Sequence, residues 1–320
     1  MYNSFVSSNR IIHYLILLNM KPSWTGVYPA VTTNFFQDES LDLKTFSFNI
    51  DEQIKAGVHG IIICGSLGEN GTLTKDEKLT LLETAKNTIA GRVPLVICIA
   101  ECITREAIAF AKECEQTGAE GFMLLPPMRY PSDDRETLHY LHRVADSTDL
   151  PVMAYNNPLA YKTFISIPMF HELAANPHFE AMKESTGDIR YMTDIINALG
   201  GRFKILSGVD DLAFESLVMG ADGWVAGLVD AFPRETVAIY ELVKQGRIEE
   251  ARAIYRWHFP LMHLDVSTKF VQNIKLAEVA TGLGTEWVRE PRLPLAGEER
   301  ERVLKIINDS LATRPVLPQF

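Results

Sequence analysis

From Trp24 onward the chain alternates short, almost wholly apolar runs with longer stretches in which apolar residues recur at helical spacing. Solidly apolar runs fit strands buried on both faces of a parallel sheet. Their alternation with helical stretches is the pattern of successive βαβ units. Eight runs qualify as strands: 27–33, 60–64, 95–100, 121–125, 152–155, 180–183, 204–206 and 223–226. The intervening stretches carry helix signals. Thr74 and Glu77 form a capping box, after which Leu82, Ala85 and Ile89 share one face. Ser132-Asp133-Asp134 opens another helix, and Gly246 closes the one that starts after Pro233.

Eight strand–helix pairs predict a (β/α)8 TIM barrel over residues 24–246, close to the usual size of about 250 residues. A doubly wound open sheet shares the alternation, but the chain has no phosphate-type glycine fingerprint, which favours the barrel. Residues 247–320 hold no strand-like run and three helical segments, 249–262, 267–281 and 297–312, predicting a C-terminal helical appendix. Residues 1–23 read as an N-terminal extension. The apolar run at 11–18 is far shorter than the roughly 20 residues that span a bilayer. No small-residue cleavage site follows it, and Met20 offers an alternative start.

Composition narrows the function. Of 320 residues 41 are acidic and 31 basic, a formal charge of −10, so no basic footprint for nucleic acid exists. Four cysteines, Cys64, Cys98, Cys102 and Cys114, are too few for a disulfide scaffold and read as reduced thiols of a cytoplasmic protein. Neither the Cys98–Cys102 spacing nor His139 with His142 brings a further ligand set, so no metal is expected.

In a barrel the chemistry sits where strands end. That rule selects Thr33, the turn Gly65-Ser66-Leu67-Gly68-Glu69, Tyr155, Lys183, the loop Gly208-Val209-Asp210-Asp211 and Gly227. Lys183 ends an apolar strand, where desolvation favours a neutral amine suited to imine formation with a carbonyl. An ion pair with Glu180 or Glu184 is the competing reading. Tyr155 ends the preceding strand, beside Lys183 in a barrel, and its phenol can relay protons or simply pack. The glycine-flanked turn at Ser66 can offer amides to an anion. Asp210-Asp211 suits a helix N-cap, and His263 with Asp265 suits a polar contact within the appendix.

Taken in order, Gly26-Val27-Tyr28-Pro29-Ala30, the 65–69 turn, Tyr155-Asn156-Asn157-Pro158, Met182-Lys183-Glu184-Ser185-Thr186-Gly187, Ser207 to Asp211 and Gly220-Ala221-Asp222-Gly223 resemble the dihydrodipicolinate synthase and N-acetylneuraminate lyase superfamily. The resemblance implies a cofactor-free, metal-independent enzyme acting on a small 2-keto acid, assembled as a homotetramer or homodimer. It implies that Lys183 forms the Schiff base, that Tyr155 relays protons and that Ser66 holds the substrate carboxylate. Thr33, Leu67, Gly208, Asp210, Asp211 and Gly227 would line the substrate pocket.

Departures bear on the substrate. Leu67 stands where dihydrodipicolinate synthases carry a second hydroxyl, Met128 where a neighbouring subunit donates a tyrosine, and Ala160 where an arginine meets a second carboxylate. The Tyr155-Asn156-Asn157-Pro158 run, the Gly-Val-Asp-Asp-Leu loop at 208–212 and the helix from Lys269 to Leu276 make the chain similar to 1-pyrroline-4-hydroxy-2-carboxylate deaminases, whose substrate has one carboxylate. The expected reaction is then release of ammonia and 2,5-dioxopentanoate through a Lys183 imine. A 2-keto acid aldolase or sugar-acid dehydratase would use the same imine. Dihydrodipicolinate synthesis, and a noncatalytic ligand-binding barrel, are the further alternatives.

Overall fold

A computed structural model describes residues 20–127 and 130–319. Residues 1–19 and Met128 therefore lie outside the described residues, and with them the expectations on the apolar run at 11–18 and on the subunit-bridging position. Eight strands form: β1 (Gly26–Pro29), β2 (Ile61–Ile63), β3 (Leu95–Ile99), β4 (Gly121–Leu124), β5 (Val152–Asn156), β6 (Phe179–Glu184), β7 (Lys204–Ser207) and β8 (Gly223–Ala226). All pair in parallel, in the order β1-β8-β7-β6-β5-β4-β3-β2. The remaining seam between β1 and β2 is bridged by Ala30 and Ile62, where the Val31 amide donates to the Ile62 carbonyl at 2.9 Å. The sheet is thus a TIM barrel, as the strand count predicts.

Outside it lie α1 (Leu43–Lys55), α2 (Lys75–Ile89), α3 (Thr104–Thr117), α4 (Asp134–Ala145), the single turn α5 (Pro158–Tyr161), α6 (Ile167–Leu173), α7 (Ile189–Leu199), α8 (Ala213–Val218) and α9 (Pro233–Lys244). The capping boxes form as the sequence indicates, Thr74 with Glu77 on α2 and Asp133 with Glu136 on α4. Gly246 follows α9 at φ +74°, a left-handed conformation that suits glycine. Strand side chains such as Ile62, Val96, Ile97 and Leu124 are fully buried, each stabilising the fold by about 1.5–3 kcal/mol through area removed from water. Trp24 and Tyr28 stack at 6.0 Å, and Pro22 with Trp24 closes on Gly121, where β4 begins.

The appendix consists of α10 (Ile248–Met262), α11 (Phe270–Thr281) and α12 (Gly297–Ala312). It does more than extend the barrel. Residues Val271 to Glu278 of α11 are all buried, and this helix carries two ionisable side chains inward. Lys275 pairs with Glu69 at 2.5 Å, both wholly enclosed, and Glu278 accepts from the Thr32 hydroxyl at 2.7 Å. The link between α10 and α11 lies at the mouth of the barrel, where Asp265 to Thr268 stand around the same space as Lys183 and Gly227. No described helix is long and apolar enough to cross a membrane. All four cysteines are free thiols, with only Cys102 exposed.

Candidate active site

Adjacent strands put two of the predicted residues side by side. Tyr155 on β5 and Lys183 on β6 are register partners, so their side chains leave the barrel wall together at its carboxyl end. The Lys183 ammonium nitrogen lies 4.4 Å from the Tyr155 ring centroid, and both residues are buried. The two carboxylates nearest in sequence are used elsewhere. Glu180 is taken by Lys21 at 2.6 Å and by the Trp24 indole at 3.3 Å. Glu184 accepts from the Thr186 amide at 2.6 Å, and burial raises its pKa. Among the described residues no carboxylate forms an ion pair with Lys183. An enclosed amine with no counter-ion is free to act as a nucleophile.

The space around Lys183 depends on a glycine. A Cβ built on Gly208 would lie 2.1 Å from the Ser185 hydroxyl and 2.5 Å from Lys183 Cε. Gly208→Ala is therefore expected to push the lysine aside while leaving the fold intact. A displacement of about 1 Å at a reacting atom costs about 10²-fold in rate. Measured kcat should fall by that order, with thermal unfolding little changed; an unaltered kcat would show that the lysine does not need this position.

The turn after β2 presents backbone amides beside Lys183. Cys64 and Glu69 bracket it at φ +57°, a strained conformation for side-chain-bearing residues. Asn70 steadies one end by donating to the Cys64 carbonyl at 2.7 Å, and Lys275 holds the Glu69 carboxylate at the other. Among the described residues the amides of Ser66 and Leu67 have no protein acceptor, which leaves them for a ligand. Thr33 is buried and gives its hydroxyl proton to the Gly68 carbonyl at 2.7 Å; it fastens the turn from behind.

A cavity of about 590 Å³ joins these parts, a size that suits a small metabolite. Ser66, Leu67, Tyr155, Lys183, Gly208 and Gly227 line it. Asp210 and Asp211 do not. Asp210 is buried, taking the Trp224 indole N–H at 2.8 Å and the amides of Gly227 and Leu228 at 3.2 and 2.8 Å, so it braces β7 against the loop after β8. That role differs from both pocket lining and capping of its own helix. Asp211 stands 3.0 Å from His263 Nδ1 and ties the appendix to the barrel.

Three further residues reach the cavity without a signal at a strand end. Tyr161, on the turn α5, hydrogen-bonds the Ser66 hydroxyl and packs edge-on against Tyr155 with centroids 5.5 Å apart. Burial and the neighbouring Tyr155 phenol raise its pKa well above the ordinary tyrosine value. Asp265, in the link between α10 and α11, lies in the wall rather than in a contact with His263. Arg292 enters from the segment before α12, 3.7 Å from Glu69.

Residues 23–310 match the model of the Dihydrodipicolinate synthetase family. The chain belongs to that family. Its similar relatives include the 4-hydroxy-tetrahydrodipicolinate synthases of Exiguobacterium sibiricum, 32% identical over 84% of this chain and 91% of that protein, and of Salinibacter ruber, 30% identical over 89% and 95%. Among solved structures, the 4-hydroxy-tetrahydrodipicolinate synthase of Methylacidiphilum fumariolicum superposes with a TM-score of 0.84 at 28% identity, covering 90% of this chain and 97% of the other. The protein is thus a Schiff-base lyase of the dihydrodipicolinate synthetase family. These relatives bear synthase names, which support the family part of the sequence reading and not its narrower likeness to the pyrroline deaminases.

Proposed function

We propose that the protein makes or breaks a bond to a 2-keto acid held as an imine on Lys183, in the manner of the 4-hydroxy-tetrahydrodipicolinate synthases it is similar to. The observation that carries this is the unpaired, enclosed Lys183 amine beside Tyr155, facing the free amides of Ser66 and Leu67 across one cavity. The keto acid carboxylate takes the amides, which places C2 toward Lys183. Attack by the amine and loss of water give the imine, and the iminium then draws electrons from C3, so that a C3 proton leaves to Tyr155 or water.

A product with two carboxylates requires a second cationic contact. Ala160 supplies none, but the Arg292 guanidinium lines the same cavity and can take that carboxylate in a bidentate fashion. Arg292 therefore favours the synthase reading. The second reading, deamination of 1-pyrroline-4-hydroxy-2-carboxylate, is favoured by Leu67 and Ala160, apolar cavity residues that suit a substrate with one carboxylate. Thr33, Asp210, Asp211 and Gly227 serve either reading by supporting the cavity wall, and the homotetramer or homodimer expected from the resemblance belongs to both.

Borohydride with pyruvate is expected to leave a reduced adduct on Lys183, read by peptide mass spectrometry. Disconnecting 4-hydroxy-tetrahydrodipicolinate at its imine and aldol bonds gives pyruvate and a four-carbon amino acid aldehyde, which is the pair to assay. Turnover of that pair supports the synthase reading, and ammonia release from the pyrroline supports the deaminase. An unmodified Lys183 refutes both.

A further inference from the structure

We infer that Asp265 is the acid–base group for the oxygen on the substrate's C4, working from the cavity wall contributed by the α10–α11 link. This inference rests on the imine reading above. Tyr155 stands against Lys183 on the barrel strands, whereas Asp265 comes from the appendix, close to Gly227 in the loop after β8. The cavity thus has a phenol at the imine and a separate carboxyl contributed from outside the barrel strands.

Three observations single out Asp265. It lines the cavity that holds Lys183. Among the described residues its carboxyl has no hydrogen-bond donor and no ion pair, while the neighbouring Asp210 and Asp211 are both occupied. Gly227 is shaped around it: a Cβ there would meet Asp265 Oδ1 at 2.6 Å, so the absence of a side chain at 227 leaves room for the carboxyl. A partly buried carboxyl with no partner costs stability and is retained more easily where it has work to do.

The surroundings favour the protonated form. Enclosure raises the Asp265 pKa well above the ordinary carboxylate value; Asp210 and Asp211 beyond β7 add to this, and the Lys183 ammonium opposes it. Once the lysine is bound as an imine, the electrons of the enamine move away from nitrogen in the next step, and the cavity needs a proton at the far end.

Chemistry on either substrate class needs a proton at the same atom. In condensation the enamine C3 forms a bond to the aldehyde carbon C4, the C=O π pair moves to oxygen, and that oxygen takes the Asp265 proton while nitrogen becomes iminium. In dehydration the C4–O bond of the enamine breaks, oxygen leaves with the bonding pair, and the Asp265 proton makes it water. The carboxylate is reprotonated from solvent in both cases. Tyr155 beside the imine is placed for the proton at C3 rather than the one at C4 oxygen.

The test uses the full-length wild type, Asp265→Asn and Gly227→Ala. Each is treated with pyruvate and borohydride, followed by NMR for deuterium exchange into the pyruvate methyl, and assayed with whichever of the two substrates the wild type turns over. Asp265→Asn should keep trapping and exchange, which report imine and enamine, while kcat falls on the order of 10²–10⁴-fold. Gly227→Ala should show the same split in milder form, because it displaces the carboxyl without removing it. The wild-type kcat should decline at high pH as Asp265 loses its proton, a limb absent from the residual activity of Asp265→Asn; Lys183, Asp210 and Asp211 act on it, and Tyr155, Tyr161 and Arg292 line the same cavity.

The inference is overturned if Asp265→Asn retains kcat, or if trapping and exchange disappear together with turnover, since the residue then serves the lysine. A wild type that fails to trap pyruvate overturns the imine reading itself.

Discussion

Lys183→Met should remove borohydride trapping and lower kcat/KM by about 10⁵–10⁶-fold, the scale seen when a covalent nucleophile is deleted. Stability should hardly move, and that combination is informative. Were Lys183 a structural ion-pair partner, its loss would strand a buried carboxylate at about 3–5 kcal/mol. Glu180 and Glu184 are satisfied by other donors, and Asp210 keeps the Trp224, Gly227 and Leu228 N–H groups, so no ion-pair partner is stranded. Methionine fills much of the same volume beside the Tyr155 ring, and the unfolding free energy should stay within about 1.5 kcal/mol of wild type. Urea unfolding and peptide mass spectrometry on one preparation measure both. Full activity without a trapped adduct would remove the imine from the mechanism.

The barrel was legible because its strands are buried on both faces, and a segment such as Leu95–Ile99 has no polar position to confuse its reading. The same holds for Tyr155 and Lys183, which end strands that pair in register. The rule that strand ends carry the chemistry fails in two directions. It selects Asp210, whose oxygens are consumed by Trp224 and by the amides of Gly227 and Leu228; these contacts join residues up to 18 apart and follow from closing β7 onto β8. It also passes over Tyr161, Asp265 and Arg292. Those three reach the cavity from a helical turn and from the appendix, and nothing in the local pattern of residues 247–320 says which link lies at the mouth. The buried charges of α11 carry the only available hint. A lysine and a glutamate buried on α11 demand partners in the barrel, which forces the appendix over the turn that holds Ser66.

That junction yields the largest expected effect on stability. Glu69 receives Lys275 at 2.5 Å and the Arg289 amide at 3.1 Å, with Arg292 3.7 Å away, while Lys275 also donates to the Trp287 carbonyl and sits over the Phe35 ring. Neither Glu69 nor Lys275 is exposed. Glu69→Gln keeps the shape, yet it leaves the ammonium buried without a counter-charge and turns one acceptor into a donor facing donors. The loss should be about 3–5 kcal/mol at neutral pH. It should also depend on pH. Burial already lowers the Lys275 pKa, and Glu69 is the chief group opposing that shift, so the variant lowers it further. Between that depressed value and the unfolded lysine value of about 10.4 the unfolded chain binds more protons, and stability then rises with pH. The deficit of Glu69→Gln relative to wild type should therefore narrow as pH climbs from about 7 toward about 10, where the folded variant holds a neutral amine. Urea midpoints across that range test it, and a deficit that is small or flat with pH would mean the pair contributes no net charge stabilisation. Because the same carboxylate anchors the turn bearing Ser66, the variant should also raise KM for the keto acid more than it lowers the yield of trapped Lys183 at saturating pyruvate.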